Sequence, residues 1–338
     1  MKVRPISLAL QGGGSHGAFT WGVLDQILRD NTLDVKAITA TSAGAMNAVA
    51  FSAGYHENGR EGARAKLEAF WKDVSERGAL RSAASAVSPS FGPFTPFAMF
   101  QALSQVASPY DLNPFDYNPL QQTLRKLIDF EALRHADGPE LFVSATNVHT
   151  GRVRVFRNHE ISEDSVLASA CLPQVFKAVE IEDKAFWDGG YVGNPSLYPL
   201  YYSDVPRDML IVHINPMVRN ETPKTAAAIL DRLNEITFNA SLIAELRSIA
   251  FVQKLLDENW LADRIKSKYR RMFVHSIRAD EQLCRLSVET KFDTSWRFLI
   301  ELRNRGREAA KQWLTDCGDS VGKQSTVDIR KEYLEGVD

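Results

Sequence analysis

Three consecutive glycines, Gly12, Gly13 and Gly14, interrupt the stretch "ISLALQGGGSHGAFTWGVLDQIL" (6–28), and nothing else in the chain constrains its fold as much. Before them, Ile6, Leu8, Ala9 and Leu10 are nearly continuous and read as a buried strand. After them, Phe19, Val23, Leu24, Ile27 and Leu28 fall at helical spacing over 16–29. A second strand is expected at "DVKAITAT" (34–41), and "SAGAMNAVAFSAG" opens a second helix ending at Gly54. Strand, loop, helix, strand, turn and helix in that order predict a parallel α/β sheet. A loop of bare backbone N–H groups at a helix start holds an anion. That anion is either the phosphates of a bound nucleotide or a charge that exists only during a reaction.

Further elements follow the same logic. A helix is expected at 61–77, with Leu67, Phe70, Trp71 and Val74 on one face. Residues 80–119 break the rhythm: prolines prevent long regular elements there, yet the segment is rich in Phe and Ser. It reads as an irregular excursion packed on the core or as a lid that touches lipid. Strands at 140–148 and 152–158, separated by "HTG", suggest a hairpin. A short helix at 162–172, a strand entering "WDGGYVGNP", and a buried strand at 208–216 complete the expected catalytic unit, 1–216. A mainly helical C-terminal extension is expected at 217–320, with one strand at 271–277 and an amphipathic helix at 294–315. The tail, 321–338, is polar and expected to be loosely held.

Composition excludes several classes. The 338 residues can bury a sizeable core, and 44% hydrophobic with 24% charged residues is an ordinary globular profile. A net charge of −2 gives no bulk attraction to nucleic acid. Cys171, Cys284 and Cys317 form neither a metal pattern nor an even disulfide set, which points to a reducing, cytoplasmic setting. No apolar run approaches the roughly 18 residues of a membrane span, and "MKVRP" leads into a strand rather than a signal peptide. Peripheral contact with a membrane stays open, as does oligomeric state.

The nucleotide alternative weakens on inspection. Gly12, Gly14 and Gly17 satisfy G-x-G-x-x-G, but the acidic residue expected to end the second strand is missing: Asp34 begins it. The G-K-[ST] ending of a phosphate loop is also missing. What ends the second strand is "ATSAGA", close to the G-x-S-x-G nucleophile elbow, with Ala40 in place of the first glycine. Ala43 and Gly44 leave room for the sharp turn, and Ser42 would stand at a helix N-terminus, where the helix dipole favours negative charge. The third element is Asp188, at a strand end and followed by Gly189 and Gly190.

Taken together, "QGGGSHGAF", "ATSAGAMNA" and "WDGGYVGNP" resemble the patatin-like phospholipase family, supported by "ASACLPQVF" (168–176). The resemblance covers roughly 5–216. It implies a three-layer α/β/α fold with a mainly parallel central sheet, and a lipid or other ester as substrate, with no metal and no cofactor. It also implies a Ser–Asp dyad without histidine. Ser42 is then the nucleophile, Asp188 the base, and the N–H groups of Gly12, Gly13 and Gly14 the oxyanion hole, joined by Ala43. Many relatives carry arginine where His16 stands; His16 either packs beside the loop or assists directly. A Ser42–Asp188–His213 triad remains conceivable, since His213 follows Asp188 in chain order. An enzyme for short soluble esters, a nucleotide-binding protein and an inactive scaffold are the competing functions.

Overall fold

The computed structural model describes residues 3–85, 107–219, 221–262, 264, 269–278, 280–283 and 286–335. Strand β1 (Arg4–Leu10) runs at the centre of the sheet, because its last five residues are buried on both faces. The glycines separate it from α1 (Gly17–Asp30), which ends in a left-handed Asn31. Strand β2 (Leu33–Ala40) pairs parallel with β1, and α2 (Ala43–Ser85) follows, broken at Asn58 and Gly59. Residues 86–106, including Phe94, Phe97 and Phe100, lie outside the described residues. Short helices α3 (Pro109–Leu112), α4 (Pro119–Leu127) and α5 (Phe130–Arg134) lead back to the sheet.

Strands β3 (Glu140–Asn147) and β4 (Val153–Arg157) form the expected antiparallel hairpin. After α6 (Glu163–Ser169) come β5 (Val179–Ile181) and β6 (Lys184–Asp188). Then follow α7 (Tyr198–Tyr202), β7 (Asp208–Val212), the long α8 (Ala226–Asp257), β8 (Phe273–Ile277), the short α9 (Asp280–Leu283) and α10 (Trp296–Cys317). Among the described residues the sheet order is β5-β6-β3-β2-β1-β7-β8, with β4 also on β3. The β3-β2-β1-β7-β8 run is parallel throughout, so the centre of the sheet is parallel and its β5-β6 side antiparallel. The fold is α/β, as expected.

Alternation along each strand sends side chains to two cores. Ile6, Leu8 and Leu10 pack with α1, α2 and α10 on one face, while Ala9, Ala37, Met209 and Ile211 pack with α7 and α8 on the other. Hence the helices form outer layers on both sides of the sheet. Strand β8 comes from the segment read as mainly helical and continues the sheet beside β7. Helix α10 lies on α1, where Arg307 joins Arg29 and Arg64 around buried Asp25.

The tail corrects the expectation of loose attachment. Val321, Val327, Ile329 and Tyr333 are buried, and Thr326 donates its N–H to the Val274 carbonyl at 3.1 Å. These apolar side chains are scattered among polar ones, so no helical or strand period announces them in the sequence.

Candidate active site

Strand β2 ends at Ala40, and the chain enters α2 at Ala43, with Thr41 and Ser42 between them. Ser42, on the turn, has a φ of +54°, a conformation that non-glycine residues rarely adopt. The strain therefore rests on the serine itself, as at many functional turns. Ala40 lies in extended β2, so its methyl group, where a glycine was the pattern, meets no backbone strain. Gly44 has no such latitude: a Cβ built there would stand 2.3 Å from the Leu10 carbonyl oxygen. Hydrogen bonds fix the turn. Gly44 N–H donates to Thr41 O at 2.8 Å, and Met46 N–H to Ser42 O at 3.0 Å. The Thr41 hydroxyl donates to Gly193 O at 2.6 Å, and Ser42 N–H donates to Ser169 Oγ at 2.9 Å.

Asp188 closes β6 and is fully buried. Its backbone is pinned on both sides: its N–H donates to Cys171 O at 2.8 Å, and Thr146 Oγ1 donates to its carbonyl at 2.7 Å. Gly190 N–H donates to Oδ1 at 2.7 Å. Burial pushes the carboxyl up to about 6, against the opposing pull of the Gly190 N–H, the Ser42 hydroxyl and the Lys291 charge. Oδ2 nevertheless lacks a partner in full hydrogen-bond geometry.

The glycine loop lies against the serine. A Cβ built on Gly12 would stand 2.6 Å from Ser42 Cβ, so the chain can approach the elbow only as glycine. Gly12 N–H donates to Asn194 Oδ1 at 2.7 Å, and its carbonyl accepts from Asn215 Nδ2 at 2.7 Å. Gly13 and Gly14 differ: among the described residues their N–H groups donate to no partner. Gln11 Oε1 accepts from the N–H groups of Ile214 and Asn215 at 3.0 and 3.1 Å, which anchors the loop's entry to the end of β7.

Two histidines take structural positions. His16 is buried, with Nε2 at 2.7 Å from Thr290 Oγ1. Burial and the nearby Lys291 charge lower it to about 3, so the ring is neutral at pH 7. His213 is likewise lowered to about 3, by burial and by Arg278. Its Nε2 faces the Tyr333 hydroxyl at 2.8 Å, and Nδ1 has no partner; no hydrogen bond joins it to Asp188 among the described residues.

The fold thus brings Ser42, Asp188, Gly12, Gly13, Gly14, Ala43, Gly44, Gly189 and Gly190 to one edge of the sheet, with His16 beside them. Sequence reasoning missed Ser169 and Asn194, although both lie inside segments it had singled out. Nothing in the sequence pointed to Asn215 or Lys291.

A strained serine between strand and helix thus lies next to a glycine loop and a buried carboxyl on a mainly parallel α/β sheet. The chain belongs to the patatin-like phospholipase family: the sequence model of that family matches residues 8–201, more than half of the 338. Among solved structures, the crystal structure of VipD from Legionella pneumophila is similar, at 14% sequence identity and a TM-score of 0.43. That similarity covers 97% of this chain and 72% of VipD. A search of curated proteins found no match. Family membership supports lipid acyl hydrolysis as the general activity.

Proposed function

We propose that this protein is a serine lipid acyl hydrolase of phospholipase A or lysophospholipase type, acting through a Ser42–Asp188 dyad. Ser42 Oγ attacks the ester carbonyl while Asp188 takes its proton. The tetrahedral oxyanion is met by the N–H groups of Gly13 and Gly14, with Ala43 at the start of α2. Gly12, whose own N–H is held by Asn194, sets the loop against the serine. Collapse of the intermediate returns the proton from Asp188 to the leaving alcohol and leaves an acyl-serine, which water hydrolyses with Asp188 again as base.

The observation that carries this reading is the Asp188 carboxyl: buried, beside a strained serine, with one oxygen unpartnered. An ordinary aspartate is a weak base. One raised to about 6 is matched to proton transfer near neutral pH. The paired donors supply the larger electrostatic contribution, since one such donor is worth roughly 3 kcal/mol in the transition state.

Lipid as substrate is supported by the family and by exposed aromatic side chains after residue 106, with Tyr110, Phe115 and Tyr117 at 60%, 95% and 51% exposure. Among the described residues no helix is long and apolar enough to cross a membrane, so contact with lipid is proposed as peripheral. The test is labelling of Ser42 by a fluorophosphonate, followed by assay on phospholipids, lysophospholipids and short soluble esters. Labelling with turnover of lipid esters is expected. Absent labelling in folded protein overturns the dyad, and turnover of short esters alone overturns the lipid assignment.

A further inference from the structure

The C-terminal part of the chain carries a lysine to the glycine loop. Lys291 lies in a 3-10 turn, Val288–Phe292, which sits against the turn Gly14–His16. The fit is close: Gly14 has a φ of +60°, and a Cβ built on it would meet the Lys291 carbonyl oxygen at 2.4 Å. Gly14 is therefore required both by its own backbone and by the segment resting on it.

The Lys291 ammonium points inward. It donates to Asn215 Oδ1 at 2.9 Å and Asn234 Oδ1 at 2.8 Å, and stands 5.5 Å from the Phe238 ring centroid. None of these direct partners is a carboxylate. An ammonium taken out of water without a bonded counter-charge is costly, so a purely structural staple would be served as well by a neutral side chain. Its two connections lead to the reacting groups. Asn215 also donates Nδ2 to the Gly12 carbonyl at 2.7 Å, which fixes the orientation of that peptide in the loop. Phe238 packs on Gly190, whose N–H holds Asp188. His16, neutral, supplies no charge there.

We propose that Lys291 is a positioning residue for ester hydrolysis: through Asn215 it holds the glycine loop with the Gly13 and Gly14 N–H groups free, and its charge favours the transient oxyanion. The inference rests on the reading of Ser42 and Asp188 given above. It means that residues beyond the family-matched 8–201 complete the catalytic loop.

The experiment compares Lys291→Met and Lys291→Arg with the natural protein on one ester substrate. Methionine keeps the stem and removes the charge. We expect kcat to fall about tenfold or more for methionine, with KM changed less than about twofold, and arginine to recover most of the loss. A pH profile gives the second readout. Burial and Arg219 lower the Lys291 ammonium to about 8, while Glu235, Asp231 and Asp188 work to keep its proton. The natural enzyme should lose kcat/KM as pH rises through about 8, and Lys291→Met should lack that alkaline limb. A folded Lys291→Met protein with unchanged kcat and an unchanged alkaline limb overturns the inference and leaves the dyad standing. A natural protein that neither labels nor hydrolyses any ester overturns both. Should methionine prevent folding, the same comparison is made with Asn215→Asp. There the carboxylate sits beside the ammonium and neutralises it; kcat must fall, and an unchanged kcat overturns the inference.

Discussion

Asn194 Oδ1 accepts the Gly12 N–H at 2.7 Å, and this one bond ties the loop before α1 to the turn after Asp188. The same side chain donates Nδ2 to Phe238 O at 3.1 Å, so α8 joins the tie. The glycine loop and the turn after Asp188 are thus held in register by one side chain. Asn194→Ala should leave the Gly12 N–H buried without a partner, at about 1–3 kcal/mol of stability. We expect kcat to fall by about tenfold or more as the loop shifts, measured beside the melting temperature. An unchanged kcat in folded Asn194→Ala would separate loop position from catalysis.

Removal of either proposed reacting group should be far more severe. Ser42→Ala and Asp188→Asn should each lower kcat by about 10³-fold or more, and the double variant should lose little beyond either single one. Groups acting in one step behave this way; independent contributions would multiply. Steady-state kinetics on the three variants decides between the two patterns.

On the proposed dyad, the Asp188 pKa should set the acid limb. As a general base, the carboxyl must be ionised, so kcat/KM should fall as pH drops through about 6. A limb near the ordinary aspartate value of about 4 would show that burial does not govern the base.

The same shift predicts a stability effect of definite sign. Asp188 is raised in the folded state from 3.8 to about 6, so folding favours its protonated form. Its contribution is fully favourable below pH 3.8 and is lost as pH rises through about 6. At pH 7.5 the folded protein holds an ionised carboxylate that water would solvate better. Asp188→Asn should therefore raise the melting temperature at pH 7.5, by the equivalent of about 1–3 kcal/mol, with the difference vanishing near pH 4. Calorimetry at the two pH values checks it. A less stable variant at pH 7.5 would mean that the site does not penalise the charge.

His213 and Tyr333 supply the opposite case, stability without catalysis. Tyr333→Ala should remove a buried ring and the Nε2 partner of His213, destabilising the fold by about 3–5 kcal/mol. His213→Ala should destabilise but retain turnover once assayed below its melting temperature. Near-complete loss of turnover in folded His213→Ala would revive the triad.

The sequence by itself determined the sheet's parallel centre, because both-face burial writes a nearly continuous apolar run such as Ile6–Leu10, and each crossover helix writes its own period. It also marked Ser42, Asp188 and the glycines as candidates, because tight turns and close backbone approach tolerate few residue types, and those types stand out locally. Tertiary structure alone decided the rest. That Ser42 rather than Ala40 carries the positive φ, that Asn194 takes the Gly12 N–H, and that Asp188 keeps an unpartnered oxygen all depend on which distant segments meet. Lys291 and the buried tail follow the same rule. One hydrogen bond from an amide N–H or one lysine ammonium depends on contacts between residues far apart in the chain, 182 positions for Gly12 and Asn194 and 76 for Lys291 and Asn215, and such contacts leave no period, spacing or composition for a sequence to display.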